Sequence, residues 1–194
     1  MAADSANINL MFCYANILYS GDGVPVDKEG SFKYYKMAAD EGDPNLMFYY
    51  ANVLDKTDDI PINKEERAKY YKMAADEGVV DAMYNYATIV DNGEGVPINK
   101  EEAVKYYKMA ADEGFVEAMF NYANIVDNGE GVPINKEEAI KYYKMAADEG
   151  DSDAIVGYAN LLINGDGIPV NADEAVKYYK MAIDLENKDA MFTY

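Results

Sequence analysis

A pair of adjacent tyrosines recurs along the chain at a constant step of 36 residues, and this repetition constrains the fold more than any other feature. The pairs are Tyr34-Tyr35, Tyr70-Tyr71, Tyr106-Tyr107, Tyr142-Tyr143 and Tyr178-Tyr179. A proline precedes each pair at an equally constant distance, at positions 25, 61, 97, 133 and 169. A fixed period of roughly 20 to 50 residues is typical of arrays in which each unit packs only on its neighbours. The sequence therefore predicts about five stacked units.

Each unit is predicted to contain two amphipathic helices, which residues 115–150 illustrate best. In the first, helix A, apolar residues recur every three or four positions. A Gly-x-Gly-x-Pro loop ends that helix. Helix B then starts after the N-cap Asn135, with Glu138 three residues later, and ends before Gly150, a left-handed C-cap. No part of the sequence has the period of a strand, so the predicted fold class is an all-α, α/α solenoid.

The predicted units span about 7–42, 43–78, 79–114, 115–150 and 151–186, as one solenoid with partial repeats at both ends. Met1 to Asp4 repeats the end of a helix B, and Asp189 to Tyr194 repeats the start of a helix A. Neither end has the polar capping repeat that an isolated array needs, so we expect a longer parent array or a short family member. In the last unit Glu186 replaces the C-cap glycine, and Asn187 is its expected substitute.

The charge of the chain limits its partners. It has 36 acidic and 17 basic residues, giving a net charge of −19. Such a surface repels phosphate backbones and anionic lipids, so we expect no nucleic acid, no direct membrane contact and a neutral-to-basic protein or peptide partner. The N-terminus lacks the basic and apolar parts of a signal peptide, which predicts a cytoplasmic location unless signals lie outside this segment.

The sequence offers little for catalysis. It contains no histidine, which excludes a Ser-His-Asp triad and an imidazole zinc site. None of its four serines begins a Ser-x-x-Lys motif, and the Gly-x-Gly loops lack the lysine of a phosphate-binding loop. The carboxylates in those loops lack the register of a calcium-binding loop. We therefore expect no enzymatic activity, no cofactor and no metal.

The joint pattern of helix A, Gly-x-Gly-Val-Pro, a Tyr-Tyr pair and Lys-x-Ala-Ala-x-x-Gly resembles the Sel-one-like repeat family. This family is a relative of the tetratricopeptide repeats. The resemblance covers essentially the whole chain, although Tyr-Ala, as at Tyr122-Ala123, stands where the family often has Leu-Gly. It implies a right-handed α/α superhelix. It also implies an adaptor or scaffold that assembles protein complexes.

By analogy with tetratricopeptide units, helix A positions around the Tyr-Ala pair are expected to line the concave wall. The first set is aromatic except for one valine: Phe12, Phe48, Tyr84, Phe120 and Val156. The second set lies one turn later and is polar: Asn16, Asn52, Thr88, Asn124 and Asn160. An acidic rim follows, with Asp55, Asp91, Asp127, Asn92 and Asn128. We predict that the amides bond the backbone of an extended peptide, while the rim favours Lys or Arg on it. The alternative is that the asparagines were copied with each repeat and only keep the surface soluble.

A second hypothesis assigns the function to the ends of the array. Apolar side chains at Met11 and Tyr14, or at Met191 and Tyr194, could stack chains into dimers or filaments. The two hypotheses differ in whether the mass of the particle rises with concentration.

Overall fold

The computed structural model describes residues 5–55 and 63–191, and the chain divides after Ile98 into two compact units. Unit 1 contains α1 (Ser5–Ser20), α2 (Lys28–Asp40), α3 (Pro44–Asp55), α4 (Lys64–Asp76) and α5 (Val80–Asn92). Unit 2 contains α6 (Lys100–Asp112), α7 (Val116–Asn128), α8 (Lys136–Asp148), α9 (Ser152–Asn164) and α10 (Ala172–Met191). Odd-numbered helices are the predicted helices A and even-numbered ones are helices B. The described residues contain no strand, which confirms the predicted all-α repeat solenoid.

The predicted start and stop signals of helix B are confirmed. The side-chain oxygen of Asn135 accepts a hydrogen bond of 3.1 Å from the backbone N–H of Glu138, so it caps α8. The other helices B begin in the same way, after Asp27, Asn63, Asn99 and Asn171. The glycines after four of them have φ between 93° and 98°, the left-handed conformation that ends a helix: Gly42, Gly78, Gly114 and Gly150.

The two terminal helices depart from this pattern because they lack that glycine. Ala6 lies inside α1, and Glu186 lies inside α10, which continues to Met191. The predictions that Asn187 caps α10 and that Asp189 begins a new helix A are therefore wrong. A residue with a Cβ disfavours the left-handed conformation by about 1–2 kcal/mol, so the helix runs on. The predicted partial repeat at residues 1–4, the loop at residues 56–62 and Tyr194 lie outside the described residues.

Alanine and tyrosine form the core, as predicted. The alanine of each Tyr-Ala position is fully buried on helix A, which lets the helix axes approach closely: Ala15, Ala51, Ala87, Ala123 and Ala159. Inner tyrosine pairs such as Tyr142-Tyr143 are also buried, with 1% and 5% of their surface exposed. Only at the two ends do pair members become partly exposed, at Tyr34, Tyr178 and Tyr179.

The first tyrosine of a pair joins its repeat to the preceding one. In unit 2 the Tyr142 hydroxyl donates to Asp112, and the ammonium of Lys108 lies 2.6 Å from Glu138. Tyr122, on helix A, donates to the same glutamate. Hydrogen bonds from Lys108 and Tyr122 lower the pKa of Glu138, so its carboxylate stays charged at neutral pH. Unit 1 repeats this arrangement with Tyr70, Asp40, Lys36 and Glu66.

The second glycine of each Gly-x-Gly loop allows the loop to touch the preceding helix B. A Cβ added to Gly131 would overlap the Cβ of Lys100, and one added to Gly167 would lie 2.8 Å from the Cβ of Lys136. Ion pairs cross the same contacts, at 3.5 Å between Lys100 and Glu130 and at 2.7 Å between Lys136 and Asp166. The glycine therefore serves packing between repeats as well as the turn.

We predict that Gly131→Ala destabilises the protein more than Gly23→Ala. Both glycines have positive φ, 75° and 78°, so each substitution costs about 1–2 kcal/mol in backbone strain. Gly23 has no other described atom within 4 Å of an added Cβ, whereas Gly131 faces Lys100, and this overlap adds about 1–3 kcal/mol. Urea unfolding of both variants measures the difference. Equal losses would contradict the packing role of Gly131.

Candidate functional site

The second tyrosine of a pair holds the asparagine that was predicted to bind peptide backbone. Three hydroxyls donate to an asparagine Oδ1 on helix A of the same repeat, at 2.8, 2.8 and 2.6 Å: Tyr35 to Asn16, Tyr71 to Asn52 and Tyr179 to Asn160. Burial raises the pKa of Tyr71, so this hydroxyl stays protonated and remains a donor. Each bond ties helix A to helix B and fixes the orientation of the amide.

Two of these asparagines have an NH2 group that makes no hydrogen bond to any described residue. An asparagine offers one carbonyl oxygen and two N–H donors. Within the described parts of the chain, Nδ2 of Asn52 and Nδ2 of Asn160 have no acceptor. The Asn16 Nδ2 differs, since it donates to the backbone carbonyl of Phe12 at 3.1 Å. Asn52 is half-buried and Asn160 is exposed, so both amides can reach a ligand.

The remaining polar positions make local contacts. The Thr88 hydroxyl donates to the backbone carbonyl of Tyr84 at 3.0 Å. In unit 2, Nδ2 of Asn128 donates to Oδ1 of Asn124 at 2.7 Å. The structure thus connects Asn124 and Asn128 as one pair.

The predicted aromatic positions lie against the tyrosines of helix B. Ring centroids are separated by 5.7, 5.9 and 6.0 Å in three equivalent pairs: Phe12 with Tyr35, Phe48 with Tyr71 and Phe120 with Tyr143. These phenylalanines are half-buried, and Val156 at the same position is 38% exposed. Each of these phenylalanines therefore lies on the same helix face as the asparagine four residues later.

Two members of the predicted acidic rim are paired with cations. Asp127 lies 2.8 Å from Lys136, and Asp55 contacts Arg67. Asp91 is half-buried in α5. The negative charge that a ligand meets is therefore smaller than the count of carboxylates suggests.

Two clefts open beside these residues in unit 1. The first has a volume of about 180 Å³ and is lined by Tyr19 of α1 and by Tyr49, Asn52 and Val53 of α3. The second has a volume of about 190 Å³ and lies among α3, α4, α5 and the following loop. Its lining includes Tyr84 and Thr88, together with Asp55, Arg67 and Glu94. Predicted residues therefore line two successive clefts of unit 1.

Arg67 and Tyr49 were not predicted from the sequence. Arg67 stands where the other repeats have Ser31, Ala103, Ala139 or Ala175, and Tyr49 stands where they have Cys13, Asn85, Asn121 or Gly157. The sequence signal for both residues is a large side chain at a position where the other repeats have a small or polar one. Its meaning depends on partners in other helices, which a repeat pattern does not show.

The described residues show neither a membrane span nor a metal centre. Of the helices that the structure describes, none has the length and apolar character needed to cross a membrane. In the same ranges, Asp, Glu and Cys side chains do not assemble into a group of three that could hold a metal ion.

The Sel1 repeat model matches residues 11–43, 58–79, 80–115, 116–151 and 152–187. Among solved structures, a Sel1 repeat protein from Oxalobacter formigenes is 28% identical, with a TM-score of 0.78 over 92% of this chain and 73% of that one. A protective antigen of uropathogenic Escherichia coli strains with the same repeat fold is 21% identical, with a TM-score of 0.80 over 94% of this chain and 39% of that one. No curated protein matches the chain.

Cysteine rich protein B of Helicobacter pylori shares the fold, with 22% identity and a TM-score of 0.51 over 68% of this chain and 96% of that one. Proteins built from Sel1 repeats generally mediate protein–protein interactions and are generally not enzymes. The partners to consider are therefore proteins.

We predict that Tyr71 and Asn52 stabilise the fold as a pair. Tyr71→Phe and Asn52→Ala each remove the same hydrogen bond, so each should lower the free energy of unfolding by about 1 kcal/mol, and the double variant by little more. As a control, Tyr35→Phe removes the equivalent hydroxyl of the preceding repeat and should add to Asn52→Ala. Full additivity of Tyr71→Phe with Asn52→Ala would show that the bond contributes nothing.

Proposed function

The chain belongs to the Sel1 repeat family, and on this premise we propose that it is a scaffold that binds an extended, neutral-to-basic protein segment along its helices A. The observation that carries the proposal is the state of Asn52 and Asn160. In each, a tyrosine holds Oδ1, while the NH2 group has no acceptor among the described residues. An oriented amide donor on an accessible helix face suits the carbonyl groups of an extended backbone.

The soluble-surface alternative accounts for less of this arrangement. A tie between helix A and helix B needs only an acceptor for the tyrosine hydroxyl, which an aspartate would supply as well as an asparagine. The NH2 group of Asn52 is superfluous to that tie. A peptide carbonyl gives it a partner.

The clefts and the charge support the same class of partner. The cleft lined by Asn52 and the one lined by Thr88 are separate openings on unit 1, so neighbouring side chains of a segment have separate places to enter. The net charge of −19 attracts basic segments and speeds their encounter with this surface.

The test uses linear peptides selected from a random phage-displayed library against the wild-type protein. We predict that Asn52→Asp with Asn160→Asp weakens binding of the selected peptides at least about fivefold, since each amide that a peptide contacts contributes one hydrogen bond of about 1 kcal/mol. Aspartate still accepts from the tyrosine, so the fold is preserved. Isothermal titration calorimetry measures the affinities.

A matched control places the same two charges on the same helices. Asn45→Asp in α3 and Asn164→Asp in α9 change exposed residues and should leave affinity nearly unchanged. Failure to select any linear peptide, or equal affinities for the two double variants, would contradict the proposal.

A second candidate function, end-to-end assembly, is favoured by the exposed face of α1. Tyr14 is 46% exposed, whereas its four counterparts are buried, with 3–7% of their surface exposed: Tyr50, Tyr86, Tyr122 and Tyr158. Tyr14 packs edge-to-face against Tyr34 with centroids 4.8 Å apart, as Tyr122 does against Tyr142. Between inner repeats, the second tyrosine of this pair makes hydrogen bonds with a lysine and an aspartate of the preceding helix B, as Tyr142 does with Lys108 and Asp112.

On α10, Lys180 and Asp184 occupy those Lys and Asp positions and are exposed. We propose that α10 of a second copy docks on Tyr14 and Tyr34. Of the end residues predicted from the sequence, Met11 is half-buried, and the side chain of Met191 and Tyr194 lie outside the described residues.

Assembly predicts a mass that rises with concentration in sedimentation equilibrium. Asp184→Lys should shift this association to higher concentration, because it removes the carboxylate to which the Tyr34 hydroxyl would donate and puts a cation in its place. Asp153→Lys, an exposed change on α9, is the control of equal charge. A constant monomer mass, or equal effects of both variants, would exclude this assembly.

A further inference from the structure

The cleft around Arg67 carries a more specific inference, which rests on the proposed peptide-binding function. Arg67 occupies a position that is small and fully buried in every other repeat: Ser31, Ala103, Ala139 and Ala175. Arg67 itself is only 7% exposed. Since four repeats pack with a small residue here, packing between repeats does not require an arginine.

Arg67 holds two carboxylates at the mouth of this cleft. Its Nη1 pairs with Oδ1 of Asp55, and its Nη2 donates to Oε2 of Glu94 at 2.7 Å. Burial opposes the charge of the guanidinium, but the hydrogen bonds with Glu94 and Asp55 raise the pKa of Arg67. Nε, also buried, has no partner within the described chain. The arginine is therefore permanently charged and fixed in place.

The group has a net charge of −1 that no further cation among the described residues balances. Two carboxylates face one guanidinium, and their side chains are 46% exposed at Asp55 and 42% exposed at Glu94. Their second oxygens, Asp55 Oδ2 and Glu94 Oε1, have no donor or cation among the described residues. Both residues line the cleft of about 190 Å³. An incoming cation would meet two oriented acceptors.

The rest of the lining suits the stem of a basic side chain. Tyr71, Tyr84 and Ile89 supply ring and aliphatic surface, and Asn85 and Thr88 supply polar groups. Aromatic rings attract cations, and the aliphatic stem of Lys or Arg packs well on such surface. An acidic side chain would be repelled, because the two carboxylates of Asp55 and Glu94 outweigh the single guanidinium of Arg67.

We propose that this cleft is the specificity pocket of the peptide-binding face and takes one Lys or Arg side chain of the bound segment. The cationic head sits between Asp55 and Glu94, and its stem lies against Tyr84. Arg67 acts as a positioning residue, since it fixes the two carboxylates and neutralises one of them.

The test again uses linear peptides selected from the random phage-displayed library against the wild-type chain. We expect the enriched peptides to share one Lys or Arg at a fixed position. Acetylation of that lysine, or replacement of that arginine by citrulline, should weaken binding about tenfold without any change in the protein.

The protein-side variant combines Arg67→Ala, Asp55→Asn and Glu94→Gln, which leaves no buried charge without a partner. It should lose the preference for the basic residue, so that the unmodified and neutralised peptides bind it equally. Asp127→Asn with Asp166→Asn removes the carboxylates at the two equivalent positions of unit 2, which both pair with Lys136, and is the control. It shifts the net charge further than the test variant does, yet it should keep the preference.

The outcomes separate the two proposals. Enriched peptides without a fixed basic residue, or a preference that survives in the triple variant, overturn the specificity pocket and leave the peptide-binding face standing. Selection of no linear peptide overturns both. A triple variant that does not fold is recognised by its circular dichroism, and the neutralised peptides then decide the question with the wild-type protein.

Discussion

The structure depends on the two hydroxyls of each adjacent tyrosine pair making hydrogen bonds to different parts of the array. The core is built mainly of alanine and tyrosine, and the buried phenolic groups need partners because a buried hydroxyl without a hydrogen bond is costly. Tyr142 donates backward to Asp112 in the preceding repeat, whereas Tyr71 donates sideways to Asn52 in its own repeat. One hydroxyl thus sets the register between repeats, and the other sets the register between helices A and B.

This division gives Asn52 and Asn160 two uses that do not compete. The carbonyl oxygen of Asn52 belongs to the fold, and its NH2 group is available to a partner. A structural bond therefore orients the group that is proposed to bind, which lowers the ordering cost of recognition. Differences between repeats then supply specificity, as when Arg67 replaces a small buried residue beside the second cleft.

Local signals in the sequence were sufficient for most of the fold. Asn135 and Gly150 mark helix ends through bonds made within four residues, so their roles follow from spacing alone. The site needed contacts that spacing does not reveal. Tyr71 and Asn52 are 19 residues apart, and Arg67 and Glu94 are 27 apart, so their meeting depends on how the helices rotate and pack. The prediction of Asn187 as a cap was wrong because the last repeat lacks the glycine that ends helix B in the preceding four repeats.

The most direct test of the account is a heteronuclear NMR titration that follows asparagine side-chain NH2 resonances as a selected peptide is added. The account predicts that the resonances of Asn52 and Asn160 shift and become protected from exchange with water, while those of the exposed Asn45 and Asn164 stay in place. Saturable binding that leaves Asn52 and Asn160 unperturbed would contradict the central claim that these oriented amides hold the partner's backbone.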